Sequence, residues 1–191
     1  MTETFYIFKN FPQDIMDRIV DAWDQGEWKA IKEVVPGKMW HYCAHDDHPL
    51  TEFFPANARI EYYVTSVGAF NTPHLDRGRW SAINVPISVD IENSYFHCGK
   101  HFWLGKYTPK DMSKHQSTYS HKSDLNGPTG FYEFEEDKFE KYNLEHPVVF
   151  STKVPHGGHN KHGRFDRVIC SIGFHRTTYE ELLNILPPEW F

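Results

Sequence analysis

The residues best suited to chemistry lie in the segment from Thr72 to Ile87, which carries a His-x-Asp motif at His74 and Asp76. Side chains alternate faces along an extended strand, so residues two apart point to the same side. The motif would therefore direct one imidazole and one carboxylate at a common point. These are two of the three ligands of a 2-His-1-carboxylate site, which binds Fe(II) on one face and leaves its other positions open. The motif predicts such a site if a second histidine folds back onto it.

A second histidine and a cation follow in the segment from Val154 to Phe174. His156 stands at the mouth of a predicted strand, as His74 does, and Arg167 begins the next hydrophobic strand. A charged arginine at that position requires a counter-ion, and its planar guanidinium binds a carboxylate through two hydrogen bonds. If this face of the strand lines a cavity, we expect the carboxylate to belong to a ligand. An ion pair with the protein itself is the alternative, since Asp166 is adjacent.

Two other histidines, His159 and His162, compete with His156 for the third ligand position. We favour His156 because it directly adjoins a strand, which fixes its position. His159 would then orient one of the metal-ligating side chains without binding the metal itself. The polar run at residues 45–48 superficially resembles a metal cluster, but we interpret it as a solvated loop.

Charge and composition limit the classes of partner. The formal net charge of -6 argues against general binding to nucleic acid or to an anionic membrane. The three cysteines form no C-x-x-C pair, which favours a reduced, intracellular setting. The chain start does not resemble a signal peptide, and no apolar run approaches membrane-spanning length. We therefore expect a cytoplasmic protein with no membrane contact, and the 13 histidines make metal chemistry worth testing.

The elements that must position these residues are mostly strands. Hydrophobic alternation and turn signals predict about seven to nine short strands without βαβ alternation. Residues 12–26 predict an amino-terminal helix, and Thr178 with Glu181 predicts a capped carboxy-terminal helix. This pattern predicts an all-β sandwich, jelly roll or barrel with helices mainly at its two ends.

The predicted strands cover residues 5–8, 39–43, 58–70, 79–88, 95–98, 101–107, 131–135, 147–154 and 164–174. The segment 136–143 is charged and is compatible with a turn of helix. We expect a loop rich in glycine and histidine at 157–163. The polar segment 109–130 predicts a long loop or insertion, of the kind that often forms an active-site lid.

The H-x-D motif, the distal histidine followed by Asn160, and the arginine of the next strand resemble, in this order, the Fe(II)- and 2-oxoglutarate-dependent oxygenases. The segments I-N-V-P-I at 83–87 and P-H-x-x-x-N at 155–160 are similar to a small branch found in bacteria and their phages. The resemblance covers roughly residues 58 to 175. It implies a double-stranded β-helix, a cupin-like jelly roll, in a single domain spanning residues 1–191.

The resemblance also implies roles for individual residues. His74, Asp76 and His156 would be the catalytic iron ligands. Three coordination positions would stay free for the bidentate oxo acid and for O₂. Arg167 would bind the distal carboxylate of 2-oxoglutarate, whose oxidative decarboxylation gives succinate and CO₂.

Further cofactor contacts follow from the same resemblance. Ser171 lies on the same strand face as Arg167 and could assist it. The commoner family pattern has serine two residues after the arginine, where this chain has Ile169. Candidates for the other end of the cofactor or for the substrate are Asn84, Tyr63 and Arg79.

We therefore expect a dioxygenase that uses Fe(II), 2-oxoglutarate and O₂ to hydroxylate an unactivated C–H bond of an amino acid, a peptide or another small substrate. The alternatives are a non-catalytic, cupin-like domain that binds a metal or ligand, and an iron-free jelly-roll interaction module. Arg167 separates the first two readings, because a binding module does not need a carboxylate anchor one strand beyond the distal histidine. Neither the substrate nor the oligomeric state is predicted by these residues.

Overall fold

A computed structural model describes residues 3–26, 28–35, 38–44, 48–54, 57–76, 78–110 and 130–191. These residues form two helices, α1 (Gln13–Gln25) and α2 (Tyr179–Ile185). The strands of the described residues are β1 (Phe5–Ile7), β2 (Trp28–Val35), β3 (Met39–Ala44), β4 (Ala58–Thr65), β5 (Ala69–Phe70), β6 (Ser81–Ser88), β7 (Tyr95–Gly99), β8 (Phe139–Tyr142), β9 (Val148–Ser151), β10 (His156–Asn160) and β11 (Arg167–Phe174). Short 3₁₀ turns lie at Pro49–Phe53, Leu104–Lys106, Glu136–Lys138 and Pro188–Trp190.

The strands form two antiparallel sheets. The larger has the order β1-β9-β6-β11-β4-β3-β2, and the smaller has the order β5-β10-β7-β8. β11 lies in the middle of the larger sheet, paired with β4 on one side and with β6 on the other. The arrangement confirms the predicted jelly roll with a helix near each end of the chain.

One face of the larger sheet is covered by the helices. α1 ends at Gly26, whose φ of 73° is the left-handed conformation that glycine adopts without strain. Ile19 of α1 and Leu182 of α2 join one apolar cluster with sheet residues such as Cys170 and Ile172. Burial of this surface holds both helices against the sheet.

The opposite face of β11 points between the two sheets. Ile169 packs there with Phe96 of β7 and Phe150 of β9 in a second apolar cluster. Arg167 and Ser171 share the face of Ile169, because they lie two residues away on either side of it. The strand therefore directs apolar residues towards the helices and two polar side chains into the space between the sheets.

The structure corrects several predicted boundaries. The segment 157–163 is not wholly a loop, because β10 runs through residue 160 and pairs with both β5 and β7. The predicted strand 58–70 is two strands, separated by a turn at Gly68 with a φ of 83°. Segment 136–143 contains β8, which pairs with β7, and β2 was not predicted.

Two predicted strands are wrong. Residues 101–107 contain a 3₁₀ turn instead, closed by hydrogen bonds between the Tyr107 hydroxyl and the His101 backbone. Residues 131–135 form only isolated bridges at Phe131 and Tyr132. Of the predicted loop 109–130, residues 111–129 lie outside the described residues. Among the described helices, none combines the length and the apolar character needed to span a bilayer.

Candidate active site

The structure brings together His74, Asp76 and His156. One donor atom from each lies within 4.8 Å of the other two. Nε2 of His74 is 3.6 Å from Oδ1 of Asp76, and Nε2 of His156 is 3.6 Å from Oδ2 of the same carboxylate. Two imidazoles and one carboxylate therefore converge on one point between the two chain segments.

The backbone holds the two histidines side by side. The His74 amide donates to the His156 carbonyl at 2.9 Å, and the His156 amide donates to the His74 carbonyl at 3.1 Å. The Asp76 amide donates to the carbonyl of Thr152, just after β9. Pro73 favours an extended approach to His74, which suits this bridge. The prediction that distant β-segments meet at these residues agrees with this geometry.

Both imidazoles have the tautomer that a metal ligand needs. Nδ1 of His74 is 2.9 Å from the Thr72 carbonyl, and Nδ1 of His156 is 2.9 Å from the Val154 carbonyl. A carbonyl can only accept, so each Nδ1 carries the hydrogen and each Nε2 keeps its lone pair towards Asp76. Burial, with the neighbouring His156, lowers the pKa of His74 to about 4, so this imidazole is neutral at pH 7. The donor set therefore fits a divalent ion of the Fe(II) type.

Arg79 holds the carboxylate of Asp76 in its charged form. Burial opposes ionisation, but Nη2 of Arg79 lies 2.6 Å from Oδ2 and keeps the pKa of Asp76 well below its usual range. The side chain of Arg79 crosses Gly173 of β11, where a Cβ would come within 2.1 Å of its Cδ. The missing side chain at Gly173 therefore makes room for this ion pair.

Arg167 is a buried cation for which the described residues provide no counter-ion. Its residue is 3% exposed, and its Nε and Nη2 have no hydrogen-bond partner among the described residues. Burial lowers its pKa to about 10, so the guanidinium is still charged at neutral pH. An unpaired buried charge is costly, so this site is suited to an anionic ligand.

Gly158 of β10 determines where the guanidinium lies. A Cβ at Gly158 would come within 2.2 Å of Nη1 of Arg167, so the arginine rests against the bare backbone of the smaller sheet. Gly158 and His156 are on the same face of β10, and two residues of a strand span roughly 6.6 Å. The guanidinium therefore lies against β10 on the face of the strand that carries His156.

The remaining predicted cofactor residues form a separate polar group. Ser171 accepts a hydrogen bond from Nη1 of Arg79 at 3.1 Å, not from Arg167, which lies four residues away along the strand. Tyr63 donates to Oε2 of Glu61 at 3.0 Å. Asn84 is opposite Ser171 in the β6–β11 ladder, and its buried Oδ1 has no partner among the described residues.

The alternative histidines lie elsewhere. His159 is on the other face of β10 from His156, and its ring stacks on Tyr95 at a centroid separation of 4.4 Å. Its Nδ1 accepts from the amide of Lys161. The ring of exposed His162 lies 5.9 Å from that of His159. Neither belongs to the donor group formed with His74.

Sequence reasoning missed a second group of donors at His41, Cys43 and Glu61. Each member is unremarkable in the sequence, and the three come together only through the pairing of β3 with β4. The signal was present as H-x-C in one strand and E-x-Y in the next, but the register that aligns them cannot be read from either segment. The buried His48, from the polar run at 45–48, accepts from the amide of Leu50, and residues 45–47 lie outside the described residues.

No protein-family model matches this chain, and no curated protein matches it. Solved structures do resemble it. HygX from Streptomyces hygroscopicus, crystallised with nickel, 2-oxoglutarate and hygromycin B, superposes with a TM-score of 0.56 at 10% identity, over 92% of this chain and 84% of HygX. A Pseudomonas putida prolyl-4-hydroxylase gives 0.52 at 12% identity, over 92% of this chain and 94% of that enzyme.

A third structure, the non-heme α-ketoglutarate-dependent epimerase SnoN of nogalamycin biosynthesis, gives a TM-score of 0.50 at 9% identity, over 92% of this chain and 79% of SnoN. The architecture is therefore the jelly roll that these oxygenases share, as the sequence resemblance predicted. At such low identities the likeness establishes the fold, and the role of each residue depends on the geometry above.

Proposed function

We propose that this chain is an Fe(II)- and 2-oxoglutarate-dependent dioxygenase that hydroxylates a C–H bond of a small-molecule or peptidyl substrate. The observation that carries the proposal is the buried guanidinium of Arg167, two of whose nitrogens have no partner among the described residues. It lies against Gly158, on the strand that carries the metal donor His156. A fold that only binds a metal does not need such a cation. A fold that binds a metal and a dicarboxylic acid together requires one.

In this proposal His74, Asp76 and His156 hold the iron, and Arg167 binds the distal carboxylate of 2-oxoglutarate. When bound, the iron and the oxo acid supply the oxidising chemistry, in which decarboxylation to succinate and CO₂ is coupled to oxidation of the substrate. The protein positions these groups and shields them from water. The rings of Phe150 and Phe131 lie 4.8 Å from His156 and 6.2 Å from His74, and they cover two sides of the donor group.

Asn84, Tyr63 and Arg79 are our candidates for contacts to the substrate or to the other end of the oxo acid. The unpartnered Oδ1 of Asn84 is available for such a contact. Arg79 already pairs with Asp76, so its first role is to orient that carboxylate. Ser171, bonded to Arg79, belongs with this group and supports the cofactor only indirectly.

The proposal is tested by anaerobic titration of the metal-free protein with Fe(II) and then with 2-oxoglutarate. We expect the weak visible charge-transfer band of an oxo acid chelated to ferrous iron. We also expect release of succinate once air is admitted. The band should be absent in His74→Ala and should require far more 2-oxoglutarate in Arg167→Gln. Arg164→Gln is the matched control, because Arg164 lies on the surface and pairs with Asp90.

Three outcomes separate the readings. A band with succinate release supports the dioxygenase. Iron binding without any response to 2-oxoglutarate would instead identify the cupin-like binding domain. A wild-type protein that binds no iron would contradict both and leave the jelly roll as an interaction module.

A further inference from the structure

We propose that His41, Cys43 and Glu61 form a second metal site, distinct from the iron site and suited to Zn(II). The three residues lie on β3 and β4, on the face of the larger sheet that carries Tyr63. The inference does not depend on the proposed oxygenase activity, because it rests only on the geometry of these two strands.

Two of the three donor separations already match those of a tetrahedral ion. Nε2 of His41 lies 3.5 Å from Sγ of Cys43 and 3.2 Å from Oε1 of Glu61, and all three donors lie within 4.8 Å of one another. Zinc bonds of about 2.0 Å to nitrogen or oxygen and about 2.3 Å to sulfur place neighbouring tetrahedral donors roughly 3.3 to 3.5 Å apart. An ion can therefore bind His41 together with Cys43, or His41 together with Glu61, with little movement of these side chains.

The strand register fixes this convergence. His41 is directly opposite Tyr63, and Cys43 is directly opposite Glu61, in the antiparallel ladder of β3 and β4. His41 and Cys43 are two residues apart on β3, and Glu61 is two residues from Tyr63 on β4, so the residues of each strand share a face. Ligands carried on paired strands are held more accurately than ligands on a loop.

The surrounding side chains direct the donor atoms towards one another. Oε2 of Glu61 accepts hydrogen bonds from the Tyr63 hydroxyl and from Arg79, each at 3.0 Å, so Oε1 is directed to His41. The His41 ring stacks on Tyr63 at 4.7 Å with an interplanar angle of 4°, which fixes its orientation. The side chains of His41 and Glu61 are each 17% exposed, which gives an ion a path from solvent.

The donor types favour zinc over iron. One thiolate, one imidazole and one carboxylate suit the borderline-soft Zn(II), whose three-ligand sites keep a fourth position for water. Burial raises the pKa of the Cys43 thiol, with a further contribution from Glu61, so metal binding must release its proton.

The second site is linked to the first through one side chain. Arg79 bonds Glu61 with Nη1 and Asp76 with Nη2. An ion bound to Oε1 fixes the Glu61 carboxylate, and through Arg79 it fixes the carboxylate of the first site. Any effect of the second ion on the Asp76 carboxylate would therefore pass through Arg79.

The test uses Co(II) as a spectroscopic substitute for zinc in the full-length, metal-free protein. Thiolate bound to cobalt absorbs strongly in the near ultraviolet, and the His74 site contains no sulfur. We expect this band in the wild type and in His74→Ala, and we expect Zn(II) to abolish it by displacement. Cys43→Ser should lose the band but still bind one ion at the His74 site.

Cys98→Ser is the matched control, because Cys98 is buried beside Thr4 and lies outside both donor groups. It should keep the band. Circular dichroism of each variant separates loss of the site from loss of the fold. A folded His74→Ala protein without a thiolate band, or a band that survives in Cys43→Ser, would overturn the second site and leave the oxygenase proposal untouched. A thiolate band without any response of the protein to Fe(II) and 2-oxoglutarate would support the second site and contradict the oxygenase proposal.

Discussion

At the scale of single residues, Arg167 differs from two other arginines in how its charge is paired. Arg79 and Arg164 are both paired with carboxylates of the protein, whereas two nitrogens of Arg167 have no partner among the described residues. A buried cation that stabilised the fold would be expected to have a counter-ion. An unpaired buried cation is expected where the ligand itself supplies the anion.

We therefore predict opposite effects of Arg167→Leu on folding and on binding. The free energy of unfolding of the ligand-free protein should rise, by about 1 to 3 kcal/mol, because an unpaired buried charge is removed. The dissociation constant for 2-oxoglutarate should increase on the order of a hundredfold or more. Denaturant unfolding and anaerobic titration measure the two effects. A variant that is both destabilised and able to bind 2-oxoglutarate normally would show that the arginine is structural.

The sequence was sufficient to predict the first group of donors but not the second. His74 and Asp76 are two apart in one segment, and this local spacing already indicates a shared target. His41 and Glu61 are diagonal neighbours across two strands, and their contact depends on a register that no local pattern specifies. Ser171 was predicted to assist Arg167, but its actual neighbour, Arg79, reaches it across Gly173 from another part of the chain.

At the scale of elements, β10 carries within five residues both the proposed metal ligand His156 and the glycine against which Arg167 lies. Its glycines gave no side-chain alternation, and the sequence therefore predicted a loop. The strand exists because β5 and β7 bond to its backbone on both sides. The absence of side chains is what lets Arg167 lie against it.

We predict that Gly158→Ala weakens binding of 2-oxoglutarate about tenfold, because the new methyl group takes the place of Nη1 of Arg167. Metal binding should be unchanged, since the donors are not displaced. The matched control is Gly130→Ala, where a Cβ would meet its nearest atom, the Leu75 carbonyl oxygen, at an ordinary 3.7 Å. Isothermal titration of the iron-loaded protein measures the difference, and equal affinities in the two variants would contradict it.

The carboxy-terminal helix was predicted correctly because its signal is local. Thr178 accepts from the amide of Glu181, and the Glu181 side chain accepts from the amide of Thr178. We predict that Thr178→Ala lowers the free energy of unfolding by about 1 kcal/mol, through loss of this cap. Thr178→Ser, which keeps the hydroxyl, should unfold close to the wild type in a denaturant titration. Equal losses in both variants would place the cause outside the cap.

At the scale of the whole molecule, acid stability depends on histidines buried in neutral form. His97 of β7 is fully buried, neither ring nitrogen has a partner among the described residues, and Phe134 packs 4.9 Å from its ring. Burial, with a smaller electrostatic contribution from neighbouring His156, holds the pKa of His97 well below its ordinary value of 6.5. Below pH 6.5, His97 therefore binds a proton in the unfolded chain but not in the folded chain, and the free energy of unfolding falls as the pH falls.

We predict that His97→Leu reduces this acid sensitivity. In the metal-free protein, the free energy of unfolding of the wild type should decline steadily below pH 6.5. The variant should show a shallower decline, because it lacks one of the histidines that are buried in the neutral form. The exposed substitution His162→Leu is the control and should keep the wild-type slope. Identical slopes in wild type and His97→Leu would contradict the prediction.

The paired backbone hydrogen bonds between His74 and His156 have a consequence for how the proposed site would be supplied with iron. Since these hydrogen bonds keep the two residues together, removal of the proposed ion by a chelator would leave its two nitrogen ligands side by side. Exchange of the ion would then be a local event, and an emptied molecule could bind iron again without unfolding.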